Sequence, residues 1–252
     1  MTALTPIRLE PQGPAGRDLE VLETINPALL SAGEPVQRGH VYYTDPTGTL
    51  TAGVWDCTPM TMPLRPYHVN EFILMLEGSL TMVDTAGREE RFTPGQAFMI
   101  PKGLPISWVQ TEYVRKFYVV FDDPSGDVLP GLDASNVTRI DPNRELAPVG
   151  EQDTARYLGG VPEQHVHGYF EDATGQMGLG VWDTTAMHTR PEPFGRSELM
   201  HILEGTVTLA GGTPGEQTLK AGDTCMVPKG LPDYKWDSEG YVRKIYCTFE
   251  PR

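Results

Sequence analysis

With 252 residues, the chain has room for one large domain or two of about 100 to 130 residues each. Its 34 acidic and 20 basic residues give a formal charge of −14, which repels a phosphate backbone and excludes nucleic acid as a partner. No stretch approaches the ~18 apolar residues of a membrane helix, which excludes membrane as a partner too, and the first residues, MTALTPIRLEPQGPAG, contain no apolar signal region.

A cytoplasmic protein is therefore expected. Cys57, Cys225 and Cys247 are odd in number and form no C-x-x-C pair, so they read as reduced, buried thiols rather than a disulfide framework or a zinc knuckle. The 27 Gly and 23 Pro among 39% hydrophobic residues point to many short elements joined by turns, hence to an all-β protein.

In chain order, the segments VYYTD, TLTAGVWDC, EFILMLEGSLTMVD, REERFT, QAFMI, SWVQT and VRKFYVVF are short and rich in β-branched and aromatic residues. They are separated by DPTG, DTAG, TPG and PKGLP, in which Gly supplies positive φ and Pro pre-sets φ for a turn. A meander of this kind predicts a sandwich or barrel. A connector rich in Pro, Gly and Asp follows from Asp122 to about Val161, within which TRI and RYLGG are candidate strands.

The pattern then repeats. GVWD at Gly53–Asp56 returns at Gly180–Asp183, LEG at Leu76–Gly78 returns at Leu203–Gly205, and PKGLP at Pro101–Pro105 returns at Pro228–Pro232, always 127 residues later. YVRK at Tyr113–Lys116 returns at Tyr241–Lys244 after 128, so the second copy gains one residue between Pro232 and Trp236. Such register is the mark of an internal duplication. The expected boundaries are an N-terminal arm over 1–38, a first barrel over 39–122, a connector over 123–160 and a second barrel over 161–252.

The words E-x6-G (Glu71 to Gly78, Glu198 to Gly205) and G-x5-P-x-G (Gly95 to Gly103, Gly222 to Gly230), sixteen residues apart in each copy, resemble the two cupin motifs. With GVWDCTP, FILMLEGSL and YVRKFYVV around them, the chain resembles the cupin subfamily related to ureidoglycine aminohydrolase and to an ethanolamine-utilisation cupin. The resemblance implies a bicupin: two tandem cupin jelly-roll β-barrels packed as a pseudo-dimer. The aminohydrolase of that group is a manganese enzyme, and metal-binding cupins supply H-x-H and Glu from the first motif and a further His from the second.

Those histidines are missing here. LRPYHVN precedes Glu71 and PEPFGRS precedes Glu198, while the second-motif position holds Ile106 in one copy and Asp233 or Tyr234 in the other. No metal ligands and no cofactor are therefore assigned. His68 and His201 each lie three residues from a motif Glu, which on a strand directs them to the opposite face. His165 and His167 form an H-x-H pair, but His167 aligns with His40 at the start of the repeat, and His188 aligns with Thr61.

What both copies retain is a different set of polar and aromatic residues. The candidate ligand pockets are Glu71, Trp108, Lys116 and Tyr118 in the first copy, and Glu198, Asp233, Tyr234, Trp236, Lys244 and Tyr246 in the second. Strand alternation puts Lys116 with Tyr118, and Lys244 with Tyr246, on one face. A carboxylate, an ammonium, a phenol and an indole around a cavity suit a small polar molecule with an apolar body.

Glu198 is expected to line a hydrated pocket, tolerating removal at under about 1 kcal/mol. The first barrel is expected to be the more tightly filled, and a homodimer is left open. Three functional readings follow. The first is a small-molecule-binding bicupin without a standard metal site. The others are a metal-dependent enzyme of the ureidoglycine aminohydrolase, isomerase or dioxygenase type, and a structural or regulatory scaffold with filled barrels.

Overall fold

A computed structural model describes residues 4–132, 137–212 and 215–252, and among these there are strands and three short 3-10 turns but no α-helix. Among the described residues no helix is long and apolar enough to cross a membrane. The chain divides into two compact units, one of residues 9–140 with 172–174, the other of residues 1–8, 141–171 and 175–252.

The first unit contains a seven-stranded sheet, ordered Thr138–Ile140, Ala97–Ile100, Asn70–Glu77, Val114–Phe121, Leu50–Cys57, Gln37–Thr44, Glu20–Val21. Its second sheet has four strands, ordered Met60–Pro66, Pro105–Gln110, Leu80–Val83, Glu89–Phe92. The pairings between these strands are antiparallel, as the tight turns between neighbouring strands allow. Ile73, Met75, Leu80, Phe92 and Phe98 pack in its core with at most 1% exposure. Burial of such side chains contributes about 1.5–3 kcal/mol each.

The second unit repeats this plan. Its large sheet runs Ile7–Leu9, Thr224–Val227, Ser197–Glu204, Val242–Phe249, Met177–Thr184, Gln164–Glu171, Ala147–Pro148, and its small sheet runs Met187–His188, Lys235–Ser238, Thr206–Ala210, Gln217–Lys220. The three central strands have the same lengths in both copies, eight residues each. An all-β tandem of this kind is the architecture that the cupin resemblance implies.

The edges depart from a simple tandem. The outermost strand beside Ala97–Ile100 is Thr138–Ile140, from beyond the first repeat, whereas its counterpart beside Thr224–Val227 is Ile7–Leu9, from far upstream. The TRI segment of the connector is thus a strand of the first sheet, while RYLGG contributes only a single bridge, Tyr157 to Thr189. Further strands lie outside the segments expected from the sequence: Ile7–Leu9 and Glu20–Val21 in the N-terminal arm, Ala147–Pro148 in the connector, and Met60–Pro66, whose two prolines the sheet tolerates because it is an edge strand.

Two glycines of the repeated words have visible causes. A Cβ at Gly53 would lie 2.7 Å from the Tyr118 hydroxyl, and at Gly180 2.4 Å from that of Tyr246, so GVWD keeps glycine where a phenol crosses the strand. The extra residue of the second copy is Asp233, an exposed turn residue with φ 54°, and Tyr234 then pairs with Glu192 as Ile106 does with Arg65.

Candidate functional site

In each barrel the motif Glu and the strand Lys meet inside. Lys116 Nζ is 2.6 Å from Glu71 Oε1, and Lys244 Nζ is 2.7 Å from Glu198 Oε1. Glu71 and Lys116 are each 5% exposed, Glu198 1% and Lys244 6%. Two indoles complete each cage: Lys116 Nζ lies 4.7 Å from the Trp55 ring and 4.6 Å from Trp108, and Lys244 Nζ lies 4.7 Å from Trp182 and 4.9 Å from Trp236. A desolvated ammonium over indole faces gains about 2 kcal/mol. The indole nitrogens are held in turn, Trp108 by Gln110, Trp236 by Ser238, Trp55 by Gln37 and Trp182 by Gln164.

The copies differ at the second carboxylate oxygen. In the first barrel the Tyr67 hydroxyl donates to Glu71 Oε2. In the second, Phe194 stands at the position of Tyr67 and Arg196 at that of Val69; Arg196 Nε donates to Glu198 Oε2 at 2.9 Å, with Nη2 in ion-pair contact with the same oxygen at 2.9 Å. Burial disfavours the charged Glu198 carboxylate, but Lys244 and Arg196 outweigh it and hold the carboxyl below the ordinary range. Burial lowers the Lys244 ammonium more than Glu198 raises it.

Above each cage lies a cavity, about 620 Å³ in the first barrel and about 770 Å³ in the second. Glu71, Lys116 and Tyr118 border the first; Glu198, Tyr234, Trp236, Lys244 and Tyr246 border the second. Trp108 instead packs into the core behind Lys116, and Asp233, although expected in the pocket, is an exposed turn residue that does not border it. The phenols of Tyr118, Tyr234 and Tyr246 have no hydrogen-bond partner among the described residues. Burial and the neighbouring carboxylate push Tyr118 up to about 12 and raise Tyr234 and Tyr246, so all three remain protonated donors.

Two expectations are revised here. Glu198 is a doubly paired, buried carboxylate at the cavity floor rather than a hydrated one, and the first barrel is smaller-cavitied but not filled. His68 also moves: it lies in the irregular segment before the strand Asn70–Glu77, where alternation does not apply, and borders the first cavity together with His40 and Glu71. His201, on the strand proper, does face away from Glu198 and bonds Thr224 through Nδ1 at 2.9 Å.

Trp55, Trp182, Tyr67 and Arg196 were not singled out in the sequence. The signal existed, since Trp55 and Trp182 belong to the repeated GVWD word, and Arg196 lies two residues from Glu198 and so on its face.

A metal of the kind that the cupin resemblance implies does not fit either cage. The place where imidazoles would converge on the motif Glu holds a lysine ammonium in both barrels, joined by a tyrosine in one and an arginine in the other. Elsewhere, His188, Asp237 and Glu239 come within 4.8 Å of one another, but the Lys235 ammonium sits 2.8 Å from Asp237 and His188 Nδ1 2.6 Å from it. That cluster borders neither cavity.

Solved structures resemble the whole chain. A protein of unknown function from Pseudomonas syringae pv. tomato is 24% identical with a TM-score of 0.77, covering 97% of this chain and 99% of its own. A putative glyoxylate induced protein from Pseudomonas aeruginosa is 14% identical, with coverages of 98% and 97% and a TM-score of 0.55. A salicylate 1,2-dioxygenase from Pseudaminobacter salicylatoxidans is 17% identical, with coverages of 94% and 78% and a TM-score of 0.53. These are likenesses of fold. No curated protein matches the chain. Residues 44–118 and 171–246 both match the EutQ-like cupin domain, one stretch in each barrel, and the chain therefore belongs to the EutQ-like cupin family as a bicupin.

Proposed function

We propose that this bicupin binds a small polar molecule in the cavity of its second barrel, without a metal as the anchoring group. The observation that carries this reading is the composition of the about 770 Å³ interior, where apolar walls from Trp182, Phe194 and Met200 surround the hydroxyls of Tyr234 and Tyr246 and the Arg196 guanidinium. Largely apolar cavities with a few convergent donors are the usual form of a small-molecule site. An interior of that size is also poorly suited to a scaffold whose barrels are packed solid.

A thermal-shift screen of small polar compounds tests the reading. A ligand at 100 times its dissociation constant stabilises by about 2.7 kcal/mol, and binding beside Trp182 and Trp236 also perturbs the intrinsic fluorescence. Met200→Trp, which fills the cavity from its wall, abolishes both responses. Ligands that bind equally well to Met200→Trp would overturn the assignment.

A further inference from the structure

We infer that the second cavity takes a small organic anion, a carboxylate carried on an apolar body, and that Arg196 sets the sign of the charge it accepts. The inference rests on the second cavity being the ligand site. The two repeats act as internal controls for one another, because duplication gave them the same Glu–Lys–Trp–Trp cage and later substitutions changed what surrounds it.

In the shared cage Glu198 and Lys244 cancel, as Glu71 and Lys116 do. Beyond the cage, the second barrel adds Arg196 where the first has Val69. Around the second cavity the cations Arg156, Arg196 and Lys244 face the carboxylates Glu171 and Glu198; around the first, Lys116 alone faces Glu20 and Glu71. Arg156 is engaged by Glu192, and Glu171 lies exposed at the rim away from the cage, whereas Arg196 bonds the motif Glu itself, so the charge left beside the neutral Glu198–Lys244 pair is that of Arg196.

Donor supply agrees with charge. Arg196 Nε donates to Glu198 Oε2 and Nη2 lies 2.9 Å from the same oxygen, leaving Nη1 without a partner among the described residues. Tyr234 and Tyr246 lie in the electrostatic neighbourhood of the same guanidinium, and their hydroxyls are likewise unpartnered. An arginine edge and two phenols make a cluster of donors whose one carboxylate is already satisfied by Lys244 and Arg196. The complementary ligand brings acceptors and a negative charge, which a carboxylate does in the planar geometry that guanidinium recognises best. Trp182, Phe194 and Met200 leave an apolar wall for the rest of the molecule.

The test uses the full chain and two matched series, benzoate with benzamide and benzylamine, and hexanoate with hexanamide and hexylamine, by titration calorimetry at fixed ionic strength. A carboxylate is expected to bind more tightly than its amide and amine. Arg196→Val, the residue of the other repeat, should weaken it by at least about tenfold, and Arg196→Lys by less. Arg196 is 52% exposed at its side chain, so these variants are expected to fold, and a retained thermal transition confirms it.

If amides or amines bind as tightly as carboxylates while remaining sensitive to Met200→Trp, the anion inference falls and the cavity assignment survives. Carboxylate binding that is unchanged in Arg196→Val also overturns the role of that residue. If no member of either series binds up to millimolar concentration, the inference and the cavity assignment fall together.

Discussion

Replacing Glu198 by alanine probes the floor of the second cavity directly. The side chain is 1% exposed and holds Lys244 at 2.7 Å, and the ammonium it leaves behind is itself 6% exposed between two indoles. Removing one member of a buried pair strands the other, at a cost of about 3–5 kcal/mol. For a chain of this size 1 kcal/mol moves Tm by about 2–4 °C, so a fall of roughly 6–20 °C is expected in calorimetry or in a fluorescence-monitored melt.

Glu198→Leu combined with Lys244→Met removes both charges together. It should recover most of the loss, because apolar replacements of a buried pair are often neutral or better. A fall of less than about 2 °C for Glu198→Ala, or a double variant as unstable as the single one, would refute the claim that the pair is desolvated.

Two further outcomes concern the buried ionisable groups. Cys57, Cys225 and Cys247 are free and buried, and burial pushes the first two thiols up to about 11 and about 12 and the third higher still. A thiol reagent at pH 8 should therefore label none of them in native protein and all three in denaturant, and rapid native labelling would contradict the packing. Burial, only partly offset by Asp223, pushes His201 down to about 4, below its ordinary value near 6.5. The unfolded chain takes up that proton first, so His201 withdraws stability as pH falls from about 6.5 to about 4, by on the order of 2 kcal/mol. A His201→Gln variant whose urea midpoint falls as steeply over that window as the parent's would show that another group is responsible.

The internal duplication is what makes the fold legible in the sequence. Words repeating at 127 residues identify equivalent positions without reference to any other protein, and the 128-residue offset of YVRK places an insertion that the structure assigns to Asp233. Alternation also placed Lys116 with Tyr118 and Lys244 with Tyr246, which do share the cavities. Parity could not say which face is interior, and that limited the site.

The error at Asp233 came from counting a turn residue as a strand residue, and that at His68 from extending a strand two residues too far. The doubled tryptophans were present in GVWD, but only the folded barrel reveals that they lie over an ammonium. Arg196 was the largest omission. Its spacing of two from Glu198 was the available signal, but Arg196 lies outside the repeated words and one residue before the strand Ser197–Glu204, so its pairing with Glu198 emerges only in the fold.

The upstream strand Ile7–Leu9 closes the edge of the sheet next to Thr224–Val227, and Arg8 donates to the Thr218 carbonyl 210 residues further along. During synthesis on a ribosome the earlier partner of that seam emerges long before the later one exists. Completion of the second barrel must therefore wait until nearly the whole chain has been released, whereas Thr138–Ile140 closes the first soon after its own repeat emerges. Maturation is consequently vectorial and unequal: one half can close while the other still presents a bare sheet edge to the crowded cell, where chaperone engagement would matter most.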